Sequence, residues 1–376
     1  MHMFVPALPY AAHELGASTG QAQMTISLYI IGLAVGQLFY GPLSDAFGRR
    51  PMLMTGLALY TVAGLAAALA PGLHVLVGAR LVQALGGCAG LALGRAIVRD
   101  TARSDKAVGQ LALMNLMTMI GPGLAPMVGG AIAATLGWRA IFWLLTAFGA
   151  FTLAFTWRLL PETAPAGASF SARTLVNDYR GLLRSTTFVG YTFGGACTTT
   201  SMYAFVAAAP FIFATQLHRP LHEVGFYLGF LIFGLALGNA STARLIRRFP
   251  MERLLLGGNA LTVLSAAALL LVTATGHLSV GAVLALMFLF TCGAGMASPA
   301  ALTKSLSLNP KLVGSAAGLY GFTQMAVGAV CTSLAAVGND QALTAAGVLT
   351  GAAVLGQAGF WLALRNERKQ ALVTAP

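Results

Sequence analysis

Charge is scarce in this chain. Only 9% of its 376 residues are Asp, Glu, Lys or Arg, against roughly a quarter in soluble domains. With 57% hydrophobic residues and a mean hydropathy of +0.78, it has too little polar surface to cover a water-soluble globule. Carboxylates are outnumbered by basic residues, ten against 22. All ten of them (Glu14, Asp45, Asp100, Asp105, Glu162, Asp178, Glu223, Glu252, Asp340 and Glu367) fall at the ends of apolar stretches or between them. The four cysteines, Cys88, Cys197, Cys292 and Cys331, lie inside such stretches without metal-ligand spacing. They read as small hydrophobes, and they define neither a metal site nor a redox compartment. The sequence contains no nucleophile–base pairing and no glycine-rich phosphate loop followed by Lys, so it predicts neither an enzyme nor an ATP-driven machine. The charged n-region and polar c-region of a cleavable signal are missing too.

Long apolar runs are abundant. A membrane-spanning helix needs about 20 mostly apolar residues, and eleven such stretches occur, near 22–40, 52–71, 75–97, 107–135, 139–160, 187–214, 223–243, 254–274, 279–302, 313–336 and 342–363. The 45 glycines suit close helix–helix approach within a bilayer. Between the first two stretches lies Gly41-Pro42-Leu43-Ser44-Asp45-Ala46-Phe47-Gly48-Arg49-Arg50-Pro51, a broken, Arg-rich hinge. With this hinge on the cytoplasmic side and the path alternating, eighteen of the 22 Lys and Arg residues share its side. Only Arg139 and Arg219 fall opposite, while Arg80 and Arg95 lie inside spans. That asymmetry is the positive-inside pattern. The net charge of +12 is therefore topological, parcelled among short segments, and no nucleic-acid partner is expected.

The chain carries a duplication. Gly32-Leu-Ala-Val-Gly-Gln37 recurs 202 residues on as Gly234-Leu-Ala-Leu-Gly-Asn239, and the register continues through Phe47/Phe249, Leu53/Leu255 and Gly56/Gly258. Two six-helix halves related by an axis along the membrane normal are a known transporter plan. The expected organisation is a first bundle at 1–160, a cytoplasmic linker at 161–185 and a second bundle at 186–376. Within the linker, residues 172–184 predict a short amphipathic helix.

The hinge Gly41-Pro-Leu-Ser-Asp45-Ala-Phe-Gly48-Arg49-Arg50 resembles the loop signature of the major facilitator superfamily, and Arg80-Leu-Val-Gln83-Ala-Leu-Gly86 its fourth-helix signature. Gly121-Pro122-Gly-Leu-Ala125-Pro126-Met-Val-Gly129-Gly130 resembles the fifth-helix signature of drug:proton antiporters. Val5-Pro-Ala-Leu-Pro9, Arg95-Ala-Ile-Val-Arg99-Asp100, Gly137-Trp138-Arg139 and Leu160-Pro161-Glu162-Thr163 look like the Bcr/CflA multidrug efflux branch. Ala46, Ala84 and Ala125 depart from the usual basic residue and glycines. The resemblance implies an all-α polytopic membrane protein of the major facilitator fold: two pseudo-symmetric six-helix bundles and a first helix that is only partly present. The apolar piece at 1–13 is too short to span a bilayer, so Met1 is expected to be an internal methionine of that helix.

Each candidate site residue has a stated chemistry. Arg80 inside a span must face a cavity and find a partner, and Gln83 shares its helix face. Together with Tyr29, Asn115, Tyr203, Tyr320 and Gln324 they form the expected substrate-binding set, to which Tyr191 and Phe205 add aromatic surface. Aromatic walls with few fixed polar groups suit amphipathic ligands. The Gly190-to-Ser201 region, rich in Gly and Thr, predicts a bent helix in the 187–214 span. With no carboxylate in mid-span, His2 is the expected proton-coupling group, because an imidazole titrates in the useful range. The resemblance implies a conformational gate at Asp45, Arg49, Arg50, Gly41 and Gly48, and a leak-sealing kink at Gly121, Pro122, Pro126, Gly129 and Gly130. No cofactor or metal is expected, only a proton gradient. The expected partners are the lipid bilayer, protons and an amphipathic small molecule, for a monomer in a bacterial inner membrane with both termini cytoplasmic. The alternatives are a specific exporter or importer of a sugar or amino-acid derivative on the same fold, or a non-transporting remnant.

Overall fold

The structure, a computed structural model, describes residues 1–101, 107–163, 172–309, 312–338 and 340–374. Every regular element among them is helical. A short 3-10 turn, Val5–Ala7, leads into α1 (Leu8–Glu14), which is followed by α2 (Thr19–Phe47), α3 (Arg49–Ala68), α4 (Leu73–Thr101), α5 (Ala107–Leu136) and α6 (Arg139–Leu159). After the linker helix α7 (Ala172–Arg184) come α8 (Thr186–Thr200), α9 (Met202–Phe211), α10 (Leu221–Leu245), α11 (Met251–Ala274), α12 (Val280–Ser307), α13 (Val313–Ala335) and α14 (Gln341–Thr374). Each of the eleven apolar stretches is helical, and nine helices among the described residues are long and apolar enough to cross a membrane.

Local chemistry sets the helix ends. Ser18 opens α2 with a reciprocal capping box, its hydroxyl accepting from the Gln21 amide while the Gln21 side chain accepts from the Ser18 amide at 2.9 Å. Ser185 and Ser279 cap α8 and α12 in the simpler one-way manner. Gly48 separates α2 from α3 at φ +96°, a backbone region that side chains disfavour. A Cβ there would also fall 2.5 Å from the Glu162 carboxylate.

In the first half α4 packs on α2 and α3, and α3 packs on α6; in the second, α12 packs on α10 and α11, and α14 on α8 and α11. The duplication reappears as matched contacts. A Cβ on Gly56 would lie 2.9 Å from the Gly86 carbonyl oxygen, and one on Gly86 2.5 Å from that of Gly56. Gly258 and Gly293 repeat this arrangement at the same 2.9 and 2.5 Å. The halves meet along α2–α13 and α5–α10. The segment before α1 is wedged into this junction, with Phe4, Val5, Ala7 and Leu8 fully buried.

The span expected to bend does so. Thr198, Thr199 and Thr200 each turn their hydroxyls onto the carbonyl four residues back, at 2.7–2.8 Å, which loosens a helix. The break falls at Ser201, between α8 and α9. Beyond it, Pro210 and a π-helical turn, Ile212–Gln216, distort the same span again. The amphipathic linker helix also forms, and buries Leu182 against Phe188 and Leu319.

Candidate transport site

Arg80 lies two turns into α4 and is completely buried. Its guanidinium stacks on the Tyr29 ring of α2 at 3.9 Å, with Phe4 and Phe142 at 5.5 and 5.6 Å. One nitrogen, Nη1, donates to Gln83 Oε1 at 2.7 Å. Arg80 Nε and Nη2, and the Gln83 amide nitrogen, have no hydrogen-bond partner among the described residues. An arginine at a helix centre costs about 2.5–3.5 kcal/mol to insert, and desolvated cation–π contacts return about 2 kcal/mol. The result is a cationic box with three spare donors. Arg80, Gln83 and Tyr29 are therefore brought together, as expected.

The remaining binding candidates separate into other neighbourhoods. His2 faces Tyr203, the ring centroids 6.2 Å apart, and lines a small apolar cavity of about 10 Å³ with Met202, Val206, Leu231 and Met287. Tyr320 sits over Gly195, its buried hydroxyl without a partner among the described residues. Gln324 donates to Thr199 at 2.9 Å and accepts at its carbonyl from Thr200, tying α13 to the broken span. Phe205 packs edge-on against Phe213 in the core. Tyr191, expected among the substrate aromatics, instead directs its hydroxyl to Glu367. The side chain of Asn115 lies outside the described residues.

The hinge is an ionic knot. Arg49, only 6% exposed, reaches Asp45 and Ser44 at 2.5 Å through Nη1 and Asp100 at 3.1 Å through Nε. Its main-chain amide, and that of Arg50, donate to the Glu162 carboxylate at 2.8 and 3.3 Å, and Arg50 Nη2 donates to the Trp157 carbonyl. These partners lie in the first half, except Glu162, which stands at the start of the linker. A mirrored knot in the second half joins Lys304 to Glu367 at 2.8 Å and to Glu252 at 3.6 Å, with Arg368 on Glu252. At this basic end a cavity of about 460 Å³ opens between α2, α4 and α13, lined by Gln37, Gly41, Asp45, Arg49, Tyr179 and Gly314.

The far end is shut. Gln23 of α2 donates to Gln341 of α14 at 2.8 Å, and a Cβ on Gly20 would lie 3.0 Å from the Ala336 carbonyl. The Gly/Pro segment of α5 closes the other seam: Gly129 touches the Met3 backbone, Pro126 O lies against Gly225, and Gly130 faces Pro6. Pro122 and Pro126 remain inside a continuous α5, and a Cβ on Gly121 would have no neighbour within 4 Å among the described residues. Outside the spans, Glu14 accepts from the Trp138 indole at 2.6 Å and pairs with Arg139, which also reaches the Ala70 carbonyl. Those two donors, Arg139 foremost, hold the Glu14 carboxyl below its usual range.

Sequence reading missed several of these groups. Glu162 and Glu367 are remote in sequence from the groups they bind. Asn259, which joins Thr198, the Ala353 carbonyl and Gln357 in the buried second half, carries no motif. Its only sequence signal is an amide inside an apolar span.

The profile of the Major Facilitator Superfamily matches residues 1–332. The chain belongs to that superfamily. This facilitator is 30% identical to the MFS-type transporter YdgK of Bacillus subtilis over 97% of its own length and 92% of the relative. It is 27% identical to the bicyclomycin resistance protein homolog of Haemophilus influenzae, over 89% of this chain and 84% of that one. A bacterial homolog of the human lysosomal transporter Spinster, solved inward-facing and unoccupied, shares the fold with a TM-score of 0.72 at 14% identity, covering 97% and 93% of the two chains. The protein is thus a multi-pass membrane transporter for small molecules, with two pseudo-symmetric helical bundles.

Proposed function

We propose that this facilitator exports amphipathic small molecules in exchange for protons, by alternating access of a bundle at 1–160 and a bundle at 186–376 joined by the linker 161–185. The observation that carries the reading is the buried Arg80–Gln83–Tyr29 cluster, a polar site with spare donors in an apolar bundle. Relatives described as multidrug and bicyclomycin resistance proteins support the choice of drugs over nutrients. The positive-inside rule supports placing the Arg49 end, and the termini with it, on the cytoplasmic side of a bacterial inner membrane. On that orientation the open basic-end cavity and the closed far end correspond to a cytoplasm-facing state. The protein acts as a monomer.

His2 is the coupling group in this reading. It borders the apolar cavity beside Tyr203, two residues from the Phe4 ring that flanks Arg80. One proton moving down 100 mV supplies about 2.3 kcal/mol. Purified protein in liposomes with an imposed pH gradient tests it. Substrate movement should follow the gradient, and His2→Ala should abolish that dependence. Undiminished pH-driven movement in His2→Ala removes His2 from the mechanism, while wild-type protein indifferent to the gradient removes proton coupling altogether.

A further inference from the structure

The duplication allows the two halves to be compared position by position. The hinge register carries Tyr29 onto Leu231, 202 residues on. The matched glycine contacts carry Gly86 onto Gly293, and with the same step of 207 they carry Arg80 onto Met287 and Gln83 onto Phe290. The polar box of the first half therefore has a wholly apolar counterpart: Leu231, Met287 and Phe290 are 3%, 1% and 0% exposed. Leu231 and Met287 border the small cavity that His2 also touches.

The charge on Arg80 has no counter-ion among the described residues. Asp45 and Asp100 are on Arg49, Glu14 on Arg139, Glu223 on Arg219, and Glu252 and Glu367 on Lys304. Glu162 holds the Arg49 and Arg50 amides, Asp178 accepts from Ser315 and Asp340 from Gln216. Residues 107–120 contain no acid. A buried cation with unused donors is costly until something anionic satisfies it. A guanidinium fork matches a carboxylate or sulfonate, and a second cation brought beside it is repelled.

Building on the efflux reading, we infer that the transported class is the amphipathic organic anion. Its acidic head is taken by Arg80 and Gln83, and its apolar body lies toward Leu231, Met287 and Phe290. In this structure the Phe4, Tyr29 and Phe142 rings close over Arg80, so the head reaches it only when the halves part.

The test uses the full chain in phosphatidylcholine vesicles with two dyes on one naphthyl body, a sulfonate and a trimethylammonium. The wild type should bind and move the sulfonate at least tenfold better. Arg80→Gln should lose at least tenfold in sulfonate affinity, and Arg80→Lys should keep part of it, both with unchanged helical circular dichroism. Equal handling of the two dyes by wild type overturns the inference, as does full sulfonate affinity in folded Arg80→Gln; neither comparison requires an unfolded variant. Adding phosphatidylglycerol should leave sulfonate binding intact. If it abolishes binding, the anion held by Arg80 is lipid and the solute assignment falls. A wild type that pumps only the ammonium dye overturns the anion class and leaves efflux standing, whereas a wild type that pumps neither overturns both.

Discussion

The hydroxyl of Tyr179, on the linker helix α7, donates to the main-chain carbonyl of Leu38 in α2 at 2.9 Å. The carbonyl is free because Pro42, four residues on, has no amide hydrogen to offer it. Its neighbour Asp178 accepts from Ser315 of α13 at 3.3 Å. The linker thus clasps the two helices that form the seam between the halves at the basic end.

Tyr179→Phe should leave the Leu38 carbonyl without its donor, costing about 1 kcal/mol, and should loosen this seam. Disulfide cross-linking of cysteines placed on α2 and α13 near Gln37 and Gly318 should slow relative to the parent. Burial pushes the Tyr179 hydroxyl up to about 12, so it remains a donor, and the Tyr179→Phe effect should be the same at pH 6 and pH 8. An unchanged cross-linking rate would show that the clasp does not hold the seam.

Glu14 offers a second measurement, at the far end. Glu14→Ala leaves the indole of Trp138, 2% exposed, without an acceptor, and should destabilise by about 1–3 kcal/mol. Glu14→Gln keeps an acceptor and should cost less. The folded-state carboxyl is held below its usual value of 4.5, so its contribution is complete above that pH and is lost as pH falls through the lower, folded value. Thermal unfolding in detergent should therefore show the Glu14→Gln deficit at pH 7 shrinking toward pH 3.

The matched glycines supply a third test. Gly56→Ala and Gly258→Ala each bring a methyl to 2.9 Å from a facing carbonyl, of Gly86 and Gly293 respectively. Each should destabilise by about 1–3 kcal/mol through overpacking, Gly56→Ala the more, because its methyl also runs into the Ala89 Cβ. Gly257→Ala, where nothing lies within 4 Å, is the control and should be nearly neutral. A nearly neutral Gly258→Ala, or a loss there larger than at Gly56→Ala, would argue against this packing.

Much of this was legible before any coordinates. The spans follow from apolar length alone, and the break at Ser201 from a Gly/Thr run whose hydroxyls compete for the backbone. Arg80, Gln83 and Tyr29 could be grouped because a cation in a span must find company. The ionic partners could not be read. Glu162 meets Arg49 across 113 residues, and Tyr191 meets Glu367 across 176. Which helix ends become neighbours is decided by bundle packing, which periodicity does not encode. For that reason the bond from the Tyr191 hydroxyl to Glu367 at the basic end is not visible in the sequence.

The elbow at Ser201 sits in the most enclosed of the nine long apolar spans among the described residues, with most of Thr186–Gln216 buried inside the fold. Acyl chains scarcely touch it. Bilayer thickness and lateral pressure therefore find little surface through which to act on this joint, and its surroundings are other helices.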